Sequence, residues 1–338
     1  MFRRTVCIFM ALALVSVCAL SQEVSPDSPS NEPFEQRLGA DDGAALAILF
    51  GANMRGLLEL CDCNFPRGGL ARRIGYVEGF KKKFPQTPVI HLEAGFFLAD
   101  SSGYAPAVML QNEQVARALS RWKVDVVNLG RFDLLYAQRL LAREGLAART
   151  AELPVINNLI SANGVFGPEA AAPAPYIIKE VRGPRIKNKG NRLRVGFIGL
   201  AEPIKPAEGR DGTVTDIFQA ARRVVPEVRK RCDLLVIVAH SSHKTALQLA
   251  SENPQADVVI AGNAEAMYKP RRVGDTMVIC AAPGNTQQGD LRVYIDGQGR
   301  KSYKFLSLNL DSGIPADPEA AAYVADSLRE RYQKGPSR

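Results

Sequence analysis

Apolar runs of strand length recur along this chain, and each ends in a loop of small or polar residues. The predicted strands are residues 44–50, 88–93, 124–129, 193–200, 233–240 and 256–261. Segments with helical spacing separate them. In residues 70–84 the apolar side chains recur on one face, and Arg72 and Arg73 fall on the other faces. This alternation of strands and helices predicts an α/β fold.

The last third of the chain has a different pattern. Residues 277–281, 291–296 and 302–310 are predicted strands, and Gly297-Gln298-Gly299 is typical of a hairpin turn between the last two. A final helix over residues 317–333 has Asp317 as its N-cap and Pro318 at its first position. An antiparallel set that follows alternating strands and helices predicts two sheets covered by helices.

The N-terminus indicates export. Arg3 and Arg4 precede an apolar run over residues 5–20, and Ala19-Leu20-Ser21 provides the small residues of a cleavage site. Residues 1–21 are therefore predicted to be a signal peptide, and the protein to be periplasmic or secreted. Retention of the run as an anchor is the alternative, and no other membrane contact is expected. Residues 22–40 are predicted to be a disordered linker, residues 41–312 the folded domain, and residues 313–338 a C-terminal helix and tail.

The net charge of +8 gives only weak information about ligands. The basic residues are scattered along the chain, and no block of them extends beyond Lys81–Lys83. This distribution is weak evidence for an anionic ligand, and it does not predict nucleic-acid binding.

Loops at the carboxyl ends of the predicted strands are expected to form the site. They are residues 51–66, 94–103, 130–133, 240–243 and 262–267. In order, they resemble the signature loops of the calcineurin-like metallophosphoesterases, in particular the 5'-nucleotidase and UDP-sugar hydrolase branch. Gly68-Gly69-Leu70-Ala71-Arg72-Arg73 is similar to the helix start that follows the first loop of that family. The resemblance covers about residues 44–310. It implies a four-layer α/β/β/α sandwich with two mixed sheets.

The resemblance also implies a site for two divalent metal ions, but most of the ligand positions are changed. Asn53 and Arg55 stand where the family has Asp and His, and Phe96 stands where it has the bridging Asp. The family's Asn-His pair falls on Gly130 and Arg131, and its final His-x-His falls on Asn263-Ala264-Glu265. His240 alone is kept. Two-metal hydrolysis requires those carboxylate and imidazole ligands, so we expect it to be lost. A shifted loop, or one metal held by Glu93, Asp133 and His240, is the alternative.

Arg55 and Arg131 fall where the family places metal charge. The pocket is therefore expected to bind a small anionic ligand through guanidinium groups. The alternative is that each arginine pairs with Glu93, Asp133 or Glu265. The two interpretations are equally open.

Cys61-Asp62-Cys63 lies in the first loop. It resembles the Cys-Gly-Cys of a nucleotidase-like branch that sometimes carries selenocysteine, and this resemblance implies thiol redox chemistry with a redox partner. A structural bridge or half of a metal site are the alternatives. Cys232 and Cys280 lie at or in apolar strands, where packing is expected.

The combined expectation is an exported, catalytically degenerate 5'-nucleotidase-like protein. It would act as an anion-binding or thiol redox module without a cofactor. The alternative is an active metal-dependent phosphohydrolase or 5'-nucleotidase that holds a divalent metal pair.

Overall fold

The computed structural model describes residues 32–62, 64–99, 105–187, 190–203, 214–264, 266, 268–281 and 285–334. These residues form twelve strands: β1 (Leu46–Gly51), β2 (Val89–Glu93), β3 (Val126–Asn128), β4 (Leu159–Ile160), β5 (Tyr176–Arg182), β6 (Arg192–Ala201), β7 (Leu234–His240), β8 (Val258–Ala261), β9 (Arg271–Val273), β10 (Thr276–Cys280), β11 (Gln287–Ile295) and β12 (Lys301–Asn309).

The helices of the described part are α1 (Phe34–Arg37), α2 (Leu70–Lys83), α3 (Pro106–Arg121), α4 (Leu134–Leu140), α5 (Leu146–Glu152), α6 (Ile217–Arg229), α7 (His243–Glu252) and α8 (Pro318–Lys334). The start of α8 is as expected, because the side chain of Asp317 accepts the Ala320 N–H at 2.8 Å.

The strands form two mixed six-stranded sheets, in the orders β12-β11-β1-β2-β3-β4 and β5-β6-β7-β8-β10-β9. Within each sheet the central strands run parallel, whereas the hairpin of β11 and β12 and the edge strands β5 and β9 are antiparallel. The expectation of an α/β fold with two mixed sheets is therefore confirmed.

Three large apolar cores divide the fold into four layers. Side chains of both sheets, among them Ile48, Phe197 and Val236, form one core between the sheets. A second core packs the first sheet against α3, α4 and α8, and a third packs the second sheet against α6 and α7. The order of layers is helix, sheet, sheet, helix. All three cores consist of buried residues, and the removal of their apolar surface from water stabilises the fold.

The two edge strands β5 and β9 were not predicted from the sequence. Both carry charged residues, such as Lys179 and Glu180 in β5 and Arg271 and Arg272 in β9. One side of an edge strand faces solvent and tolerates charge, so the apolar run that marks a central strand is absent from both.

The predicted linker extends into the folded structure at its C-terminal end. Residues 34–37 form α1, Leu38 is fully buried, and Arg37 makes a buried ion pair with Asp311 at 2.8 Å. The buried residues are few and lie within a polar segment, so the sequence pattern did not reveal them. The predicted signal peptide and residues 22–31 lie outside the described residues. Within the described ranges, none of the helices is long and apolar enough to cross a membrane.

Candidate functional site

The predicted site residues lie where strands of both sheets end. Glu93 and His240 are the last residues of β2 and β7. Asn53, Phe96, Arg131, Asp133 and Asn263 follow in the loops after β1, β2, β3 and β8. Parallel strands bring their carboxyl ends to one edge of a sheet, and the packing of the two sheets brings the two edges together. The amide of Asn53 spans the two sheets, since its Nδ2 donates to the Gly262 carbonyl at 2.8 Å.

His240 lies at the centre of this edge and is fully buried. Its Nε2 is 3.3 Å from Asn53 Oδ1. Because the amide nitrogen of Asn53 already donates to Gly262, Oδ1 is the acceptor and the His240 proton lies on Nε2. The other ring nitrogen, Nδ1, is buried and has no hydrogen-bond partner in the described structure.

Two glycines make room for the His240 ring. A Cβ atom at Gly95 would lie 2.9 Å from the His240 Cβ, and one at Gly130 would lie 2.9 Å from its Cγ. Gly130 stands at the position where the family resemblance expects an asparagine ligand. In this arrangement the imidazole occupies the space that such a side chain would need.

An arginine-aromatic cluster covers the histidine. It consists of Arg55, Phe96, Arg131 and Phe132. The Phe96 and Phe132 rings are 4.5 Å apart, and the guanidinium carbons of Arg55 and Arg131 lie 5.2 Å from the Phe96 ring and 4.5 Å from the Phe132 ring. Phe96 also meets the His240 ring edge-on at 6.0 Å. Guanidinium groups are attracted to the faces of aromatic rings, so this arrangement is electrostatically favourable.

Electrostatics keep the imidazole neutral. Burial of His240, followed by the positive charges of Arg131 and Arg55, lowers its pKa to about 3. Both guanidinium groups therefore act on the same buried imidazole.

Three residues of the site have left-handed backbone conformations. Asn53, Arg55 and Phe96 have φ angles of 62°, 52° and 56°. Such conformations cost about 1–3 kcal/mol each and persist only where the surroundings enforce them. Asparagine adopts this region readily, but arginine and phenylalanine do so rarely. The loops after β1 and β2 therefore follow a strained path at these three residues.

Asp133 holds the loops together through backbone groups. Its carboxylate accepts the N–H groups of Phe96, Leu98 and Gly130 at 2.7, 2.9 and 2.7 Å. Burial raises the pKa of this carboxyl to about 8, although the three donors favour its charged form. Asp133 therefore pairs with backbone N–H groups at these contacts, and the pairing of an arginine with Asp133 that the sequence left open is not observed among the described residues.

Glu93 pairs with Arg73, which the sequence pattern placed on a charged face of α2. Arg73 is buried, contrary to the prediction, and its Nη1 donates to Glu93 Oε2 at 2.5 Å. Its other terminal nitrogen donates to Asn285. The guanidinium fills the space beside Gly51, where a Cβ would lie 1.9 Å from it. Helical periodicity alone placed Arg73 among the charged residues of α2. The signal for its role was its place in the Gly-Gly-Leu-Ala-Arg-Arg motif.

The donor set does not fit a pair of divalent ions. Phe96 has no donor atom, Arg55 and Arg131 are cations, and Asn53 is engaged by Gly262 and His240. A single ion between Glu93, Asp133 and His240 does not fit either. Glu93 pairs with Arg73 and Asp133 pairs with backbone N–H groups. No group of three or more His, Cys, Asp or Glu residues among those described has an arrangement that could hold a metal ion. Divalent ions need several anionic or imidazole ligands at once.

A small cavity opens beside the first loop. It has a volume of about 210 Å³, and its lining includes Asn53, Arg55, Cys61, Arg67 and Asn285. Cys61 is half-buried and disulfide-bonded, whereas Cys232 and Cys280 are free and buried, as expected. A disulfide sulfur has no thiolate to offer a metal, which argues against a metal half-site in this state.

Two predicted residues, Cys63 and Glu265, lie outside the described residues. Asn263 is half-buried in the loop after β8, and its backbone N–H donates to the Ser241 carbonyl at 3.1 Å. This bond joins the loops after β7 and β8.

Known proteins resemble this chain in sequence and in fold. No protein-family model matches the chain. It is 29% identical over 177 residues to a 2',3'-cyclic-nucleotide 2'-phosphodiesterase/3'-nucleotidase of Salmonella typhimurium, covering 48% of this chain and 26% of that protein. It is 27% identical over 201 residues to the uncharacterized metallophosphoesterase YunD of Bacillus subtilis, covering 57% of this chain and 41% of that protein. The fold matches the 5'-nucleotidase precursor of Thermus thermophilus with a TM-score of 0.67 at 19% identity, covering 85% of this chain and 59% of that one.

The chain is a homologue of calcineurin-like metallophosphoesterases. The expected family resemblance is confirmed, and so is the fold that it implied. The chain covers 26% of the length of the Salmonella relative and 41% of the length of the Bacillus relative. The chemistry of the site must therefore be argued from its own residues.

The buried ion pair of Arg73 and Glu93 should contribute more to the free energy of unfolding than any exposed charge on α2. Arg73→Met leaves Glu93 buried without its cation, and we expect a loss of about 3–5 kcal/mol in the free energy of unfolding. Lys82→Met on the exposed face of the same helix should change it by less than about 0.5 kcal/mol. Urea denaturation measures both. Adding Glu93→Gln to Arg73→Met should recover part of the loss, and strict additivity of the two changes would contradict the pairing.

His240 should stay neutral in mildly acidic solution. Its folded-state pKa lies below the unfolded value, so the unfolded chain binds more protons between about pH 3 and 6.5. The contribution of His240 to stability should fall there by about 1.4 kcal/mol per pH unit as the pH decreases. Nitrogen-15 NMR of labelled histidine reports the ring directly. Arg55→Gln with Arg131→Gln removes two positive charges and should raise the pKa. An imidazole that titrates near 6.5 in the native protein would contradict the burial argument.

Proposed function

We propose that this metallophosphoesterase homologue has lost two-metal hydrolysis and binds a small anion at the arginine-aromatic cluster. The observation that carries the proposal is the pair of guanidinium groups beside a neutral, buried His240. Two buried carboxylates of the site are engaged by other groups, since Glu93 bonds Arg73 and Asp133 bonds backbone N–H groups. A site with two guanidinium groups and partly exposed aromatic surface favours an anionic ligand.

The cluster differs from a metal site in the way it attracts an anion. Metal ions bind phosphoryl oxygens directly and activate a water molecule, whereas guanidinium groups only donate hydrogen bonds. His240 offers no basic nitrogen toward Asn53, because that nitrogen carries its proton. Nδ1 is the unprotonated nitrogen, but it is buried and its low pKa makes it a weak base, so the proposed site suits the holding of a ligand better than the activation of water. Active hydrolysis by a divalent metal pair is the alternative function.

Metal content and turnover separate the two functions. The purified full-length protein should contain no stoichiometric pair of divalent ions, because the ligand positions carry Asn53, Arg55, Phe96 and Arg131. It should also release no phosphate from nucleotides when Mn²⁺ or Zn²⁺ is added. Elemental analysis and a phosphate-release assay measure these two quantities. Two bound ions per chain together with turnover would overturn the proposal and support the hydrolase.

Anion binding should stabilise the folded protein by mass action. Inorganic phosphate or sulfate should raise the melting temperature, and Arg55→Gln with Arg131→Gln should abolish the shift. The matched control is Arg182→Gln with Arg192→Gln, which removes two exposed arginines from the opposite end of the second sheet. The control should keep the shift. A shift that survives in Arg55→Gln with Arg131→Gln would locate anion binding elsewhere.

A second candidate function is thiol-disulfide exchange at Cys61. It is supported by the disulfide state of Cys61, its partial exposure and its place in the cavity lining. Burial raises the pKa of the Cys232 thiol, so that cysteine is a poor competitor for redox reactions. A disulfide is also typical of oxidising compartments, which supports the proposed periplasmic or secreted location. Reduction of the Cys61 disulfide by a neutral thiol tests this function.

A further inference from the structure

The lining of the cavity beside Cys61 includes both a disulfide-bonded cysteine and positively charged side chains. It lies between the end of β1 and the start of α2, and both Cys61 and Arg55 line it. Its volume of about 210 Å³ is smaller than the about 300–1,000 Å³ of drug-sized pockets. It therefore suits a ligand of only a few heavy atoms.

The charge of the lining favours an anion. Arg55 and Arg67 both contribute to it, and Glu59 is the one acid among the described lining residues. The carboxylate of Glu59 is engaged by Arg331 and by the Leu58 N–H. Helix α2 begins next to the cavity, with no side-chain cap and no acidic residue in its first turn. Its N-terminal dipole adds to the positive potential.

The backbone fixes the Cys61 sulfur beside Arg67. The Cys61 N–H donates to the Arg67 carbonyl at 2.8 Å, and the Arg67 N–H donates to Cys61 Sγ at 3.2 Å. An adjacent bridge between Leu60 and Gly68 continues this pairing. An N–H donor stabilises negative charge on sulfur, so Cys61 is a good leaving group as a thiolate.

We propose that this cavity binds a small anionic thiol, which Arg55 and Arg67 orient toward the Cys61 disulfide. This inference rests on the thiol redox function above and names its substrate class. The apolar part of the lining, from Met54, Leu57 and Leu60, suits the short carbon chain between the thiol and the anionic group.

The reaction is a two-step exchange. The thiol first loses its proton to solvent, and the resulting thiolate attacks Cys61 Sγ. A sulfur-sulfur bond forms between ligand and Cys61 while the original disulfide bond breaks, and its electron pair leaves on the other cysteine as a thiolate. A second molecule of the thiol also loses its proton to solvent and attacks the ligand sulfur as a thiolate, and Cys61 leaves as a thiolate. Both cysteine thiolates then take up protons from solvent. The ligand is oxidised to its disulfide and the protein is reduced to a dithiol.

Three small thiols of different charge test the inference on the oxidised full-length protein. They are 2-mercaptoethanesulfonate, 2-mercaptoethanol and cysteamine, which are anionic, neutral and cationic. Reduction is followed by alkylation and mass spectrometry, and each rate is divided by the thiolate concentration. The sulfonate should react about tenfold faster than the neutral thiol, and the cationic thiol should be slowest. Salt should reduce the difference.

Arginine variants assign the preference to this cavity. Arg55→Gln alone, and with Arg67→Gln, should lower the sulfonate rate toward that of the neutral thiol. Arg182→Gln with Arg192→Gln should leave the ratio unchanged. Arg55 is exposed, so its single variant remains informative if the double variant is unstable.

The outcomes separate the two levels of the proposal. If none of the thiols reduces the Cys61 disulfide, the redox function and the inference are both overturned. If all three react equally, or if the preference survives in Arg55→Gln, the redox function stands and the anionic substrate class is overturned.

Discussion

The site exists because two mixed sheets pack face to face with the carboxyl ends of their parallel strands at one edge. The core between them contains fully buried residues from both, such as Ile48 and Val236, so neither sheet moves without disturbing the other. Across this packing the amide of Asn53 bonds Gly262, and the amide of Asn128 bonds the Leu200 carbonyl at 3.0 Å. Loops from distant parts of the chain are thereby brought within contact of His240.

Two guanidinium groups bring positive charge to the site. They stack on Phe96 and Phe132, and burial together with those same charges keeps His240 neutral. The loops are strained here, because Arg55 and Phe96 both have left-handed backbone conformations.

Buried polar contacts hold these loops in place. Arg73 and Glu93 form a buried ion pair, and Asp133 gathers three backbone N–H groups. Each is costly to bury alone and acceptable only when its partners are in place. These contacts engage two of the acids that the sequence left available to Arg55 and Arg131.

The sequence by itself determined the α/β alternation, the central strands and the loops that form the site, because buried strands and amphipathic helices leave periodic apolar patterns. It also predicts that the ligand positions of the family have changed, since residue type decides which side chains can bind a metal. It did not reveal the edge strands β5 and β9, whose one-sided burial leaves no such pattern, nor the packing of Leu38. Only the tertiary structure decided which charges pair. Arg73 and Glu93 are 20 residues apart in sequence, and Asn53 and His240 are 187 residues apart. Contacts of this kind depend on how the layers meet, and helical or strand periodicity carries no information about that.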